Sequence, residues 1–196
     1  MFRSAEADGL TWREGGKMIF AVLTLVALVL FIDGLVVLGT FGGKQVAVLN
    51  LGIGSAIGVI GLVIGFTDAL KEVGSTQSVA AAAASLTFAF VYILLAAEIW
   101  TGTDFKALGW YGLMGGIFMV LMGLGYSHVL GTTLIASSQF AVFWYLWAIL
   151  FWLFWVTFGL GKTKWTKITG YYTILVALFT GLYPVIAFIN MGRIGW

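Results

Sequence analysis

A dense series of aromatic residues lies in the fifth apolar stretch of the chain. Trp144, Phe151 and Trp155 are spaced by seven and four residues, which places them on one face of a helix. Phe88 and Tyr92 lie one helical turn apart in the third stretch. Two such faces, if opposed, form a slot that refuses an ion because its lost hydration is not replaced. A small neutral solute passes such a slot by hydrogen-bonding to a Tyr hydroxyl or an indole N–H. The same spacing is also typical of rings that only fill the core of a bundle.

Three polar residues lie within apolar stretches and could carry chemistry. Asp33 is in the first stretch, Glu98 is near the end of the third, and Asn50 opens the second. Ionisable groups inside a membrane usually face protein or a water-filled path. Asp33 is therefore a polar group of a pathway, a proton-carrying site, or a hydrogen-bonded structural acid. For Glu98 the alternatives are a similar role or an interfacial side chain. Asn50 is expected to hydrogen-bond a neighbouring helix.

The elements that position these residues are transmembrane helices. Of the 196 residues, 61% are hydrophobic and only 9% are charged, whereas soluble domains carry about 25% charged residues. A bilayer core is crossed by roughly 20 apolar helical residues. Six stretches meet that length, and the sequence predicts an all-α bundle of six transmembrane helices over residues 18–40, 46–67, 79–100, 108–126, 140–160 and 168–190.

The composition also excludes several classes of protein. The chain has no Cys and one His, which argues against a thiolate nucleophile and against a Cys- or His-rich metal site. A net charge of +2 is too small to indicate a nucleic-acid partner. No catalytic constellation or nucleotide-binding loop is recognisable, so we expect neither an enzyme nor a bound cofactor or metal. The expected organisation is a polar N-terminal tail over residues 1–17 and a membrane channel domain over residues 18–196.

Small residues recur at helical spacing and predict close helix packing. The second span carries a stripe of Gly54, Gly58, Gly61 and Gly65, and such stripes let helix backbones approach each other in lipid. The basic residues do not fix the orientation, because an even number of spans places five on each side of the membrane. The cluster of Lys162, Lys164 and Lys167 favours both termini outside, by a small margin.

Several segments resemble the AmiS/UreI family of bacterial urea and short-chain amide channels. The third span and the link after it carry LTFAFVY at 86–92 and GWYGL at 109–113. Asp33-Gly34 and AVLN at 47–50 are similar to the family's Asn-Gly and Ala-Val-Met-Asn. TGLYP at 180–184 is similar to Thr-Ala-Trp-Ile-Pro. The similarity extends from about residue 22 to residue 190.

The resemblance implies a protomer with its own pore, assembled with other copies into a hexamer in the bacterial inner membrane, with both termini outside. Its solute partner would be urea or a small neutral amide, moving passively past aromatic constrictions, with lipid around the ring. Phe88, Tyr92, Phe151 and Trp155 match pore-lining aromatic positions of the family, and Trp144 matches a further aromatic of the same helix. We also expect the solute path to include Asp33, Asn50 and Glu98.

The chain departs from the family pattern at its polar positions. Asp33 and Glu98 stand where the family has Asn, and Val176 replaces a Glu of the last span. Acid-gated members have several His residues in outer loops, but this chain has only His128, so we expect no steep activation by acid. These departures leave two alternatives to a passive channel. One is a non-conducting accessory subunit of a larger membrane complex, and the other is a proton-coupled transporter that uses Asp33 and Glu98.

Overall fold

The computed structural model describes residues 5–40, 42–70, 75–127, 129 and 138–186, with side chains described from residue 17 onward. Long helices joined by short links make up this part of the chain. The helices are α1 (Ala5–Val37), α2 (Lys44–Thr67), α3 (Ser75–Thr101), α4 (Lys106–Tyr126), α5 (Ser138–Phe154) and α6 (Thr166–Val176). A π-helical segment follows each of the last two, π1 (Trp155–Gly159) after α5 and π2 (Ala177–Leu182) after α6.

Six helices within the described residues are long and apolar enough to cross a membrane, which confirms the predicted number of spans. Each corresponds to one predicted span with bounds that differ by a few residues: the first ends at Val37 rather than residue 40, and the third begins at Ser75 rather than residue 79. Backbone groups in lipid must be paired within their own segment, and this is why each long apolar run is helical. The protein is therefore a multi-pass membrane protein.

The backbone of the N-terminal segment is helical from Ala5 onward. Helix α1 begins at Ala5, so the polar residues up to position 17 continue the first membrane helix. The division of the chain at residue 17 into tail and channel domain stays a prediction. His128 and the predicted end of the sixth span at 187–190 lie outside the described residues.

The glycine stripe of α2 packs against α3. A Cβ built on Gly54 would lie 3.0 Å from Cβ of Tyr92, and one on Gly61 would lie 2.8 Å from Cβ of Ser85. Real Cβ atoms do not approach so closely, so only glycine permits this separation of the two helices. The contact fixes the position of α3, and thereby of Tyr92, against α2.

Helices α4 and α5 pack together by the same means. A Cβ on Gly112 would lie 2.6 Å from the backbone oxygen of Phe151, and one on Gly123 would meet the ring of Tyr145 at 2.6 Å. Large aromatic side chains of α5 therefore face small residues of α4. Because the facing residues of α4 are small, α5 can bury many large rings against it.

The π-helical segments were not predicted from the sequence, which indicated continuous helices. In a π-helix each backbone hydrogen bond spans one more residue than in an α-helix, so the side chains after Trp155 rotate away from the preceding face. A hydrogen bond of 2.7 Å between the hydroxyls of Thr157 in π1 and Thr169 in α6 ties the segment to its neighbour. Both threonines are buried.

Candidate solute pathway

An aromatic cluster in the centre of the bundle joins α3 to α5. The ring of Phe88 lies 4.8 Å from that of Trp147 and 5.9 Å from that of Phe151, in edge-to-face arrangements. All three side chains are buried. These contacts place the aromatic faces of the third and fifth spans against one another, and the interpretation that they line a solute path stays a prediction.

Trp144 extends the cluster towards one end of the bundle. Its ring is 5.0 Å from that of Trp147 and stacks on Tyr126 of α4 at 6.0 Å, with an angle of 19° between the planes. The indole nitrogen of Trp144 is buried and has no hydrogen-bond partner among the described residues. Trp144 thus combines an apolar stacking surface with an unused N–H donor.

A cavity of about 100 Å³ lies directly above this cluster. It lies beside the start of the first membrane span at Lys17, where α3 and α5 begin and where α2 and α4 end, and we call it the vestibule. Its floor consists of Phe88, Trp144 and Trp147, and its remaining lining is Ile19, Val22, Leu23, Val26, Leu70, Gln77, Ala81, Ala84, Ser85, Tyr126 and Phe140. A solute that enters the vestibule meets the aromatic cluster next.

The positions along α3 give the depth of each group. At about 1.5 Å per helical residue, Phe88 lies about 16 Å below Gln77 and Tyr92 about 22 Å below it. The aromatic cluster is therefore near the middle of the bilayer core, which is about 30 Å thick. Tyr92 follows it on the side away from the vestibule.

Asp33, Asn50 and Tyr92 form a buried polar group on three helices beyond the aromatic cluster. The amide nitrogen of Asn50 donates to Oδ1 of Asp33 at 2.8 Å and to the backbone oxygen of Val46 at 3.1 Å. Asp33, Asn50 and Tyr92 are 3%, 0% and 1% exposed. The Asn50 side-chain oxygen and the Tyr92 hydroxyl have no partner among the described residues. The predicted helix–helix hydrogen bond of Asn50 is present, and one acceptor and one hydroxyl remain available for a solute.

Glu98 lies apart from that group and contacts the start of α4. One carboxylate oxygen accepts hydrogen bonds from the backbone N–H groups of Ala107 at 3.1 Å and Leu108 at 3.3 Å. The first N–H groups of a helix have no partner within the helix, and a carboxylate satisfies them. Glu98 is only 6% exposed, so its carboxylate is turned into the protein near the end of α3. Its contacts are those of a helix cap.

Trp155 is turned away from the α3 rings by its position at the start of π1. Its ring packs at 6.2 Å against Trp110 of α4, which is half exposed. Its indole nitrogen is buried without a partner among the described residues. Of the predicted path residues, the structure brings Phe88, Phe151 and Trp144 into one cluster and Asp33, Asn50 and Tyr92 into another. It leaves Trp155 and Glu98 outside both.

The sequence interpretation did not select three residues of this region. Trp147 is spaced three residues from Trp144 and four from Phe151, and that helical spacing could have identified it. Gln77 and Tyr126 are far apart in the chain, yet the Gln77 amide donates to the Tyr126 hydroxyl at 2.7 Å. Their pairing has no local signal in the sequence.

Taken together, six membrane helices surround a vestibule, a central set of rings and a buried polar group, an arrangement typical of a transport protein. No group of three or more potential metal-ligating side chains occurs in the described part of the chain. The chain belongs to the AmiS/UreI family of transporters, whose pattern matches residues 18–191. The family places the chain among transporters and not among enzymes.

Two relatives support this assignment. A candidate transporter protein named AmiS2 from Rhodococcus erythropolis is 32% identical over 162 residues, which cover 83% of this chain and 74% of the relative. A candidate transporter of amidate substrates from Mycolicibacterium smegmatis is 30% identical over 169 residues, covering 86% of this chain and 75% of the relative.

Two solved structures share the fold. The crystal structure of the urea channel of Helicobacter pylori superposes with a TM-score of 0.73 and 25% identity, covering 89% of this chain and 98% of the channel. The closed state of that channel, solved by electron cryomicroscopy, gives a TM-score of 0.73 and 21% identity over 88% and 97% of the two chains.

Proposed function

We propose that this protein is a passive membrane channel for urea or short-chain amides, with an aromatic-lined path through each protomer. The observation that carries the proposal is the vestibule with its floor of Phe88, Trp144 and Trp147, below which Phe151 packs edge-to-face on Phe88. An ion among these rings loses its hydration shell and gains no replacement, whereas a flat neutral solute loses little hydration free energy. The names of the relatives and of the solved channels agree with this class of solute.

The buried polar group beyond the cluster supports the same function. An amide or urea molecule leaving the rings needs hydrogen-bond partners, and the Tyr92 hydroxyl and the Asn50 oxygen are unpaired among the described residues. The constriction would consist of Phe88, Trp144 and Phe151. The polar side chains that a solute meets after it would be Asp33, Asn50 and Tyr92. Trp155 would line the far end of the path. Glu98 would act by holding the start of α4 in place.

The proposal is tested by stopped-flow light scattering on proteoliposomes with urea, acetamide and propionamide. Wild-type protein should give rapid, non-saturating urea flux above that of empty liposomes. Phe88→Ala should raise the permeability of propionamide relative to urea, because the constriction widens. Phe90→Ala is the matched control, since Phe90 is on the same helix but 60% exposed on its outer side. Wild-type flux equal to empty liposomes would refute the channel and favour an accessory subunit.

We propose further that several copies assemble, as a hexamer by resemblance, in the bacterial inner membrane with both termini outside. The vestibule would then open to the outside, because it lies at the N-terminal end of the first membrane span. The chain has no native Cys, so single substitutions at exposed positions report the side of the membrane. An impermeant maleimide on intact cells should label Ser75→Cys and leave Lys164→Cys unmodified. The opposite labelling would reverse the orientation.

A further inference from the structure

Two polar atoms without partners belong to side chains that line the vestibule. The Gln77 amide donates through its nitrogen to the Tyr126 hydroxyl at 2.7 Å, but its oxygen has no partner among the described residues. The indole N–H of Trp144 also has none there. Tyr126 stacks on Trp144 and bonds to Gln77, so it brings the two side chains to one part of the wall.

An unpaired acceptor and an unpaired donor in one place require an explanation. Buried polar groups in native proteins are nearly always hydrogen-bonded, because burial without a partner destabilises the fold. The rest of the wall is mostly apolar, and the Ser85 hydroxyl already donates to the backbone oxygen of Ala81 at 2.8 Å. A solute with one donor and one acceptor in a fixed, planar arrangement would satisfy both atoms.

We propose that the vestibule is a selectivity site for short aliphatic primary amides, with the Gln77 oxygen accepting an amide N–H and the Trp144 N–H donating to the amide carbonyl. This proposal rests on the proposed channel function and specifies its substrate. The alkyl group of the solute lies against Val22, Leu23 and Val26 of α1, which line the apolar side of the cavity. Both polar atoms are covered in the present conformation, so a rotation of the Gln77 side chain accompanies binding.

The same geometry disfavours urea at this site. Urea has a second amino group where a short amide has its alkyl group, and that group would face the apolar wall without an acceptor. One unpaired donor in such a place reduces binding by about five- to tenfold, the low end of what a buried unsatisfied group costs. The cavity of about 100 Å³ admits a solute of this size and not a much larger one, since water occupies roughly 30 Å³ in the liquid.

Binding is measured first, without transport. Propionamide and its isomer N,N-dimethylformamide have the same atoms and a carbonyl, but only propionamide has N–H groups. In detergent, propionamide should raise the unfolding temperature of the wild type more than the isomer does. Gln77→Met and Trp144→Phe, which remove the acceptor and the donor, should each abolish that difference. Ser85→Ala should keep it, since Ser85 lines the same cavity but its hydroxyl is engaged. Equal effects of the two isomers on the wild type would overturn the proposal.

Measurements of transport distinguish the proposed selectivity site from the proposed channel function. In proteoliposomes the ratio of acetamide to urea permeability should fall about five- to tenfold in Gln77→Met, because acetamide loses the acceptor for its N–H group. An unchanged ratio, or an equal fall for both solutes, would refute the selectivity site and leave the channel standing. Isomer-specific binding in a protein without urea or amide flux would refute the channel and leave the binding site standing.

Discussion

Replacing Glu98 by alanine should destabilise the protein without altering the solute path. The Glu98 carboxylate accepts hydrogen bonds from the N–H groups of Ala107 and Leu108, at 3.1 and 3.3 Å, at the start of α4. Phe105, the residue before α4, makes no side-chain cap, and the local contact there is a bond of 3.3 Å from the N–H of Lys106 to the exposed Asp104 carboxylate. Glu98 therefore supplies from α3 what a local Ser or Asp would otherwise supply.

The size of the effect follows from these contacts. Hydrogen bonds to charged groups contribute about 1.5–3 kcal/mol, and the loss of a helix cap costs typically about 1 kcal/mol. The two bonds are long, which places Glu98→Ala near the low end, at about 1–2 kcal/mol of unfolding free energy. Glu98→Gln keeps a carbonyl acceptor at the same position and loses only the charge. It should cost about half as much.

The assay is unfolding of the detergent-solubilised protein with increasing denaturing detergent, paired with urea flux in proteoliposomes. Asp104→Ala is the matched control, a carboxylate at the same helix start that is exposed and paired with Lys106 at 2.7 Å. Asp104 also accepts the backbone N–H of Lys106 at 3.3 Å, and the side-chain hydrogen bond from Lys106 holds the pKa of Asp104 below its usual value. Because these contacts are exposed to solvent, Asp104→Ala should affect stability less than Glu98→Ala does. If Glu98→Gln kept full stability and abolished flux, the cap interpretation would be refuted and a proton-carrying role favoured.

Three further outcomes are expected. Gly61→Val should lower the unfolding free energy by about 2 kcal/mol or more, because its Cβ would lie 2.8 Å from Ser85, while Gly52→Ala, where space is open, should not. Phe151→Ala should cost about 3–4 kcal/mol, as expected for a buried ring, and unfolding in denaturing detergent will measure it. Urea flux should rise less than tenfold between pH 7 and pH 5, since His128 is the only histidine of the chain. A larger rise would show acid gating.

The fold was predictable because its main determinants are local. Apolar length alone gives the six spans, and the spacing of Gly54 and Gly61 gives the helix face that packs on α3. Spacing placed Phe88 and Phe151 on aromatic faces of their helices, and the structure shows that these two rings meet. Each of these predictions needed only a pattern within one helix.

The roles of individual polar residues were not predictable, because their partners lie on other helices. Nothing in the sequence near Glu98 shows that α4 begins beside it. The pairing of Gln77 with Tyr126 joins residues separated by 49 positions. The spacing places Trp155 on the same helical face as Phe151, but in the structure its ring packs against Trp110 of α4. Such contacts depend on the assembled bundle.

The replacement of a family Glu by Val176 has a structural reason in the position of Asp33. Gly34, the next residue, packs against α6, where its Cβ would lie 3.0 Å from the backbone oxygen of Gly170. Asp33 is thus next to the seam between α1 and α6, the helix that carries the fully buried Val176, although its own side chain bonds to Asn50 of α2. We infer that one buried acid is retained at this seam but has moved to the neighbouring helix.

If Asp33 serves as a hydrogen-bond acceptor and not as a proton carrier, its substitutions should follow a specific pattern. Asp33→Asn keeps an acceptor for the Asn50 amide and should therefore retain urea flux, whereas Asp33→Leu removes it and should reduce flux and stability together. Adding Val176→Glu to Asp33→Leu should restore part of both, because an acid returns to the seam. Proton movement that accompanies solute in the wild type and disappears in Asp33→Asn would contradict this account, since a passive path for neutral solutes requires the hydrogen bond alone.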